Sequence, residues 1–278
     1  MMRTIMAFLL ALACSGALAQ QTEKEAWPEA IMDNSFLIEE AYNQDPGVVQ
    51  WIFNSTITRP DNSWLFTFTN EWPVPDEKNQ LSYMVQWAGE GSGQPSGFGD
   101  LFLNYRYQLF FEEKDGVAVA PRLSVILPTG DWRRGLGSGT TGWQASIPFS
   151  KRVSQYFAIH FNLGATLYPR AKSLDLSGNE IRRSLKGTNE GASVIYLASP
   201  VFNIFLEAVA YQQQQFTPSG GKTNVHQALI CPGFRCAVNK PKGQLVWGVS
   251  APIGLTHASP HSGVFLYLSW EAPVWKAK

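Results

Sequence analysis

Two histidines and two serines lie close together near the C-terminus, where they could form a hydrolytic or metal-binding site. They are His257, Ser259, His261 and Ser262. A serine nucleophile needs a histidine base and a partner that orients the base, but no such partner and no nucleophile elbow is evident. Two histidines at i, i+4 bind a metal from a helix, which Pro260 disfavours. We therefore predict no enzyme, no metal and no cofactor, with a lipid hydrolase as the less favoured alternative.

Two cysteines lie near each other in the sequence Cys-Pro-Gly-Phe-Arg-Cys, which begins at Cys231 and ends at Cys236. Pro-Gly is typical of a tight turn, and a disulfide between Cys231 and Cys236 would close that turn. Two free thiols are the alternative. A zinc site is not indicated, because a second pair of ligands is missing.

The N-terminus has the features of a secretory signal peptide over residues 1–19. Arg3 provides the positive charge, residues 5–13 are apolar, and Ala17-Leu18-Ala19 gives the small-residue cleavage pattern. Acylation of Cys14, as in a lipoprotein, is the alternative. Beyond residue 20 no apolar run approaches the roughly 18 residues of a transmembrane helix. The chain is therefore expected in the periplasm, in the outer membrane or outside the cell.

The composition points to a membrane β-barrel and away from nucleic acid. The 22 basic residues are balanced by 22 acidic residues, so no excess of positive charge is available to neutralise phosphates. Charged residues make up only 16% of the chain and aromatic residues 13%, with ten tryptophans. Few charges and many aromatics without long apolar runs suit strands in which lipid-facing residues alternate with polar ones.

From residue 47 onward the hydrophobic pattern has a period of two. In residues 156–168 the apolar side chains of Phe157, Ile159 and Phe161 alternate with Ala158, His160 and Asn162. Twelve segments show such patterns, roughly 47–58, 63–72, 80–88, 98–112, 117–127, 140–151, 156–168, 188–198, 202–214, 224–234, 244–254 and 262–272. The number is even, as in bacterial single-chain barrels. The predicted fold is all-β: a closed antiparallel transmembrane β-barrel of about 12 strands over residues 47–278.

The segment before the barrel, residues 20–46, is expected to be a periplasmic N-terminal piece. Trp27-Pro28 could open a short helix, and Asp45-Pro46-Gly47 breaks the chain. A helix or a plug is predicted, and its position in the lumen or at the periplasmic mouth stays open.

Connection lengths and tryptophans give the barrel a direction. If the chain starts in the periplasm, the inner connections are mostly tight turns, whereas outer ones such as 128–139 and 169–187 are longer. Three tryptophans fall near the outer strand ends and four near the inner ends, as expected of two interfacial girdles: Trp64, Trp87 and Trp143, then Trp51, Trp72, Trp247 and Trp270.

The second face of the strands is polar and should line the lumen. The main lumen-lining candidates are Asn104, Arg106, Arg122, His160, Asn162 and Glu207. Mixed charge signs suit hydrated small solutes better than a strongly ion-selective pore, which would show one sign. The alternative is an internal salt-bridge network that braces a closed barrel.

An ordered series of motifs resembles a known family. The run from Leu37 to Gln50 is followed by Gly99-Asp100-Leu101, then by 127–131 (Leu-Pro-Thr-Gly-Asp), Ser150-Lys151 and Asn162-Leu163-Gly164. This series resembles the outer-membrane β-barrel family named for the MetA pathway of phenol degradation, a transporter family. The resemblance implies a barrel that passes small organic molecules, including aromatic ones, and it carries over no catalytic residues. The chain departs from the usual aromatic ending of such barrels, because Lys276-Ala277-Lys278 follows Trp275.

The resulting hypothesis is an outer-membrane channel or transporter for small molecules by passive passage through the lumen. Its expected partners are outer-membrane lipid, the small-molecule solute and the barrel-assembly machinery. A closed barrel with a structural or surface-interaction role is the alternative.

Overall fold

The computed structural model describes residues 27, 30, 31, 33–89, 91 and 95–275. The predicted signal peptide, including Cys14, lies outside the described residues. None of the helices among these described residues has the length and apolar character of a membrane span.

Twelve antiparallel strands account for most of the described chain, and three of them are interrupted by short breaks. The strands are β1 (Val48–Arg59), β2 (Trp64–Pro73), β3 (Asn79–Gly89), β4 (Ser96–Phe98 and Leu101–Tyr107), β5 (Ala118–Val119 and Arg122–Leu127), β6 (Gly142–Arg152), β7 (Phe157–Leu174), β8 (Glu180–Ser199), β9 (Phe202–Phe216), β10 (Lys222–Lys240), β11 (Gly243–Ser250 and Ile253–Gly254) and β12 (Ser262–Pro273). One short helix, α1 (Glu112–Asp115), and one 3₁₀ turn, Trp132–Arg134, lie in the connections.

The sheet closes on itself. Each strand pairs with its neighbour in sequence, and β1 pairs with β12 along its whole length, from Val48 against Pro273 to Arg59 against Ser262. Closure leaves the described sheet without an open edge, as a sheet in lipid requires. The prediction of a closed antiparallel barrel of about 12 strands is confirmed.

The polarity of the barrel is inverted relative to that of a water-soluble protein. On β7 the side chain of Leu163 is 58% exposed, whereas that of His160 is 1% exposed. The same contrast holds on β9, where Leu206 is exposed and Glu207 is buried. Alternation with period two produces this arrangement, and its apolar exterior is suited to contact with acyl chains.

The tryptophans lie in two bands. We call the end that holds Val48 and Pro273 the terminal end, and the opposite end the loop end. Trp64 and Trp87 contact each other at the loop end with ring centroids 5.8 Å apart. Trp51 is paired with Trp270 across the closing strands near the terminal end.

The predicted long connection 169–187 is wrong, because most of it is strand. β7 continues to Leu174 and β8 begins at Glu180, so the connection is 175–179. Beyond the tryptophan band both faces of a hairpin can meet water. The alternation is then lost although the hydrogen-bonded ladder continues, and the sequence pattern resembles that of a loop.

The predicted disulfide between Cys231 and Cys236 is also wrong, and both thiols are free. The two residues lie within β10, where Cys231 opposes Glu207 and Cys236 opposes Phe202. Five residues of extended chain span roughly 16 Å, whereas disulfide-bonded Cα atoms lie within about 7 Å of each other. The odd spacing also places the side chains on opposite faces. Pro232 lies within the strand and not in a turn, and its carbonyl accepts a hydrogen bond from the Ala251 N–H at 3.0 Å.

We expect both thiols to be alkylated without prior reduction. Denaturation in iodoacetamide, followed by peptide mass spectrometry, should show carbamidomethyl groups on Cys231 and Cys236 in comparable yield with and without reductant. A linked peptide that appears only without reductant would contradict the paired-strand geometry.

Candidate functional site

The N-terminal segment lies inside the barrel and follows its inner wall. We call Ile31 and Asp33–Pro46 the inner segment. Its contacts follow the order of the strands: Gln44 meets β3, Asn43 meets the end of β4, and Ala41 meets β6. Glu39 then meets β7, Phe36 and Leu37 meet β9, and Asp33 meets β1 and β12. The segment thus makes nearly a full circuit of the lumen.

Side chains of the wall satisfy the backbone of the inner segment. The N–H groups of Gln44, Asn43, Ala41 and Glu39 donate to side-chain oxygens at 2.6–2.9 Å, and those of Phe36 and Leu37 donate to Glu207 at 3.0 and 2.9 Å. Buried backbone groups need such partners. Because the wall provides them, the described residues of the segment form no helix; Pro28, where the predicted helix would begin, lies outside the described residues.

Arg235 is the centre of the largest group of these contacts. Its guanidinium donates to the carbonyls of Ile31 at 3.0 Å, Asp33 at 2.6 Å and Asn34 at 3.2 Å. It also pairs with Glu40 at 2.8 Å, and its side chain is 1% exposed. Five donors in a planar fork allow one arginine to hold three carbonyls and a carboxylate together.

Two predicted lumen residues, Arg106 and Arg122, hold the other half of the segment. Arg106 donates to the carbonyl of Tyr42 at 2.7 Å and to the side chain of Asn43 at 2.8 Å. Arg122 makes a two-point contact with the carboxylate of Glu39. Both guanidinium groups are therefore occupied by the inner segment.

Asp33 joins the two strands that close the barrel. Its carboxylate accepts hydrogen bonds at 2.6 Å from Gln50 on β1 and from Tyr267 and Ser269 on β12. Burial raises the pKa of Asp33 above its ordinary range, and the charge of Arg235 and the hydroxyl donors offset this only in part.

An aromatic cluster next to Asp33 also anchors the segment. The ring of Phe36 stacks on Phe265 and Tyr267 with centroids 5.1 and 5.0 Å away, and meets Phe205 edge-on at 4.6 Å. Gly248 leaves space for the ring, since a Cβ there would lie 2.5 Å from it. A buried aromatic residue contributes packing as well as area removed from water.

The other predicted lumen residues also face the interior. Asn162 accepts from the Glu39 N–H and donates to its carbonyl, and Asn104 lies between Ser82 and Arg122. His160 bonds to Ser150 at 2.7 Å. That serine–histidine pair is fully buried under Ala41, whose N–H donates to Ser150, and it borders neither of the cavities described below. It is therefore positioned to hold the segment and is closed to a substrate.

The serines and histidines near residue 260 do not form a hydrolytic arrangement. Ser259 is buried, and its hydroxyl bonds to the backbone of Ala228 and to Thr256. Ser262 begins β12 opposite Arg59. Among the described residues, no group of three or more His, Cys, Asp and Glu side chains is arranged to hold a metal ion.

The inner segment separates two cavities. The outer cavity, of about 400 Å³, lies on the loop-end side, with a floor made by residues 34–39 and walls that include Asn104, Arg106, Arg122 and Asn162. The inner cavity, of about 170 Å³, lies on the terminal side between the segment, Val48 and Glu271. Asn34 borders both cavities.

The comparisons with known proteins rest on structure alone. No family model matches the sequence, and no curated protein matches it. The COG4313 outer membrane channel from Pseudomonas putida F1 superposes with a TM-score of 0.61 at 12% identity, over 83% of this chain and 97% of that one. The fold is that of the outer-membrane β-barrels. The NanC porin superposes on this barrel with a TM-score of 0.52 at 9% identity, over 80% of this chain and 98% of that one.

Several residues that hold the inner segment are absent from the predicted site. Arg235 falls in a region predicted to be a periplasmic connection, 235–243, which is strand as far as Lys240. Asp33, Phe36 and Glu40 precede the predicted barrel. The alternation on β10 continues through Gly233 and Arg235, and extending that strand past Pro-Gly would have assigned Arg235 to the lumen.

Acid should weaken the attachment of the inner segment through Glu39, which lies outside the membrane-spanning strands. Burial raises the pKa of Glu39, but Arg122 and Arg106 outweigh this effect and hold the pKa below the ordinary 4.5. A lowered pKa contributes stability that is present above about pH 4.5 and is lost as the pH falls through the folded-state value. The pair is partly exposed, so the contribution is about 1 kcal/mol.

Thermal unfolding followed by circular dichroism between pH 3 and pH 7 measures this contribution. Glu39→Gln should lower the melting temperature at pH 7 and flatten its dependence on pH below 4.5. Glu180→Gln removes an exposed ion pair with Arg182 and is the control. If the melting temperatures of the wild type and Glu39→Gln depend on pH in the same way, Glu39 does not make the pH-dependent contribution assigned to it.

Proposed function

We propose that the protein is an outer-membrane channel through which small organic molecules pass passively, under restriction by the inner segment. The outer cavity carries the proposal, because it is a polar recess inside a barrel with an apolar exterior. The similarity in fold to two proteins whose names describe them as an outer membrane channel and a porin supports it.

The proposal assigns different roles to the predicted lumen residues. Asn104, Arg106, Arg122 and Asn162 border the outer cavity and would contact the solute. His160 and Glu207 border neither cavity and would hold the inner segment in place. The loop end would face the outside of the cell and the terminal end the periplasm, following the usual direction of these barrels.

The route from the outer to the inner cavity would pass Asn34. Because Asn34 borders both cavities, a small displacement of the segment at this point would join them. The inner segment would therefore set the size of the solute that passes.

The same structure supports a second candidate, a permanently closed barrel with a structural role. The observation in its favour is that Arg106, Arg122, Asn162 and Glu207 all bond to the inner segment. Buried side-chain hydrogen bonds of this kind favour one fixed arrangement.

A reversible tether distinguishes these candidates. In a chain with Cys231→Ala and Cys236→Ala, the pair Ala41→Cys and Ser150→Cys would join the inner segment to β6, where the backbone nitrogen of residue 41 lies 2.7 Å from the side-chain oxygen of residue 150. Conductance in planar bilayers and solute entry in a liposome-swelling assay are measured with the tether oxidised and reduced. The pair Ser55→Cys and Leu266→Cys, which face each other within the wall, is the control.

Conductance that is present when reduced and falls on oxidation supports a channel whose segment moves. Conductance that is present in both states supports passage around a fixed segment. No conductance and no swelling with wild-type or reduced protein would overturn the channel proposal and favour the closed barrel. Transport across the outer membrane also requires delivery to the periplasm, which the proposed cleavage after residue 19 would permit.

A further inference from the structure

The lining of the outer cavity is rich in neutral hydrogen-bonding groups. Amides and hydroxyls from most of the strands surround it, among them Asn54, Ser82, Asn104, Gln144, Asn189 and Gln213. Such groups both donate and accept, which matches a solute that itself carries several donors and acceptors.

The charged groups of the same cavity neutralise one another. Arg122 is bound to Glu39, and Arg106 lies 3.9 Å from Glu71. The side chain of Gln80 donates to Glu71 at 2.8 Å. A charged solute would enter with no free counter-charge and would lose part of its hydration, which is unfavourable.

Two polar atoms that line this cavity have no hydrogen-bond partner among the described residues. The hydroxyl of Ser146 is buried, with the residue 6% exposed, and the side-chain oxygen of Asn54 is likewise buried; neither makes a hydrogen bond. Ser146 opposes Arg122 and Gly164 across its neighbouring strands and therefore points into the lumen. Buried polar groups without partners are rare and indicate a site that a solvent molecule or ligand completes.

The remaining lining is apolar and partly aromatic. Phe102, Tyr211 and Tyr267 border the cavity together with Met84 and Ile52. The hydroxyl of Tyr267 is occupied by Asp33 and one face of its ring by Phe36, so only the rest of the ring borders the cavity. Ring faces beside amides and hydroxyls suit a compact molecule with both C–H surfaces and hydroxyl groups.

We infer that the outer cavity is a binding site for neutral, hydroxyl-rich small molecules of the monosaccharide class. The inference deepens the proposed function, on which it rests for the route by which the ligand enters. Binding itself does not require passage, so the two proposals can fail separately.

Three pyranoses that differ mainly in charge test the inference: glucose, glucuronate and glucosamine. Saturation-transfer NMR and calorimetry on the full-length mature protein in detergent measure binding without transport. Glucose should bind saturably. Glucuronate and glucosamine should bind with dissociation constants at least about tenfold higher than that of glucose. Equal affinity for all three, or no saturable binding of glucose, would overturn the inference. Saturable glucose binding without liposome swelling would uphold this inference and contradict the channel proposal.

Variants of two buried serines localise the site. Ser146→Ala should weaken glucose binding about fivefold, because one hydrogen bond is lost, and Ser146→Thr should restore most of it. Ser193→Ala is the matched control, since Ser193 is also buried and without a partner but does not border the cavity. Loss of binding in Ser193→Ala with no loss in Ser146→Ala would place the ligand elsewhere and overturn the assignment.

Discussion

Replacing Arg235 with methionine should detach the inner segment from the wall and increase the conductance of the barrel. The change removes the group that holds the carbonyls of Ile31, Asp33 and Asn34 and leaves the carboxylate of Glu40 without its cation. Removing one partner of a buried ion pair typically costs about 3–5 kcal/mol. Methionine keeps much of the side-chain length, so the effect reports the lost charge and hydrogen bonds.

Single-channel recording gives the measurement, with thermal unfolding as a check that the barrel itself is intact. Arg182→Met is the control, since Arg182 forms an exposed pair with Glu180 outside the lumen. An Arg235→Met barrel that is folded and conducts as the wild type does would show that the inner segment is held without this residue.

Shortening Phe36 to alanine should loosen the same segment through packing rather than charge. The ring lies among Phe205, Phe265 and Tyr267, and these neighbours belong to strands that cannot easily move inward to fill the gap. Phenylalanine-to-alanine changes in a core cost about 3–5 kcal/mol. We expect a lower melting temperature and more frequent open events in single-channel records.

Phe53→Ala provides the matched control for this loss of packing. Phe53 lies on β1 and faces outward, 38% exposed, so its removal leaves the lumen unchanged. If Phe36→Ala and Phe53→Ala shift the open frequency equally, the aromatic cluster does not hold the segment.

The barrel itself follows from local sequence pattern. Twelve strands were predictable because lipid on one side and a polar lumen on the other enforce a period of two, as in the residues around His160 and Leu163. The alternation no longer identifies a strand where the strand leaves the lipid and both of its faces meet water. Residues 169–187 lie beyond the tryptophan band, and Pro232-Gly233 has the composition of a turn although both residues lie in a long strand.

The sequence predicted a helix or plug ahead of the barrel but left open whether it lies in the lumen. Its backbone partners come from strands far away in the sequence, such as Glu207 for Phe36 and Arg235 for Asp33. No local propensity encodes such contacts, because they depend on the completed curvature of the wall. Four of the six predicted lumen residues nevertheless bond to the segment, namely Arg106, Arg122, Asn162 and Glu207, since parity alone determines which side chains point inward.

The resemblance to the MetA-pathway family stays a prediction, because no family model matches the chain. The fold it implied is observed. The solute class it implied, which includes aromatic molecules, differs from the hydroxyl-rich class that we propose for the outer cavity. The three pyranose probes address this difference directly.

The bridge that Asp33 makes between β1 and β12 has a consequence for biogenesis. Those two strands are the first and last to be synthesised, and their pairing is the step that completes the cylinder. Asp33 lies only 15 residues ahead of Val48, so it is tethered close to this junction while the final strand arrives. We therefore expect the segment to lie inside the barrel before β1 and β12 pair, and Asp33 to help hold these two strands together as they pair. Asp33→Asn should accordingly slow the last phase of refolding into liposomes more than it slows strand formation.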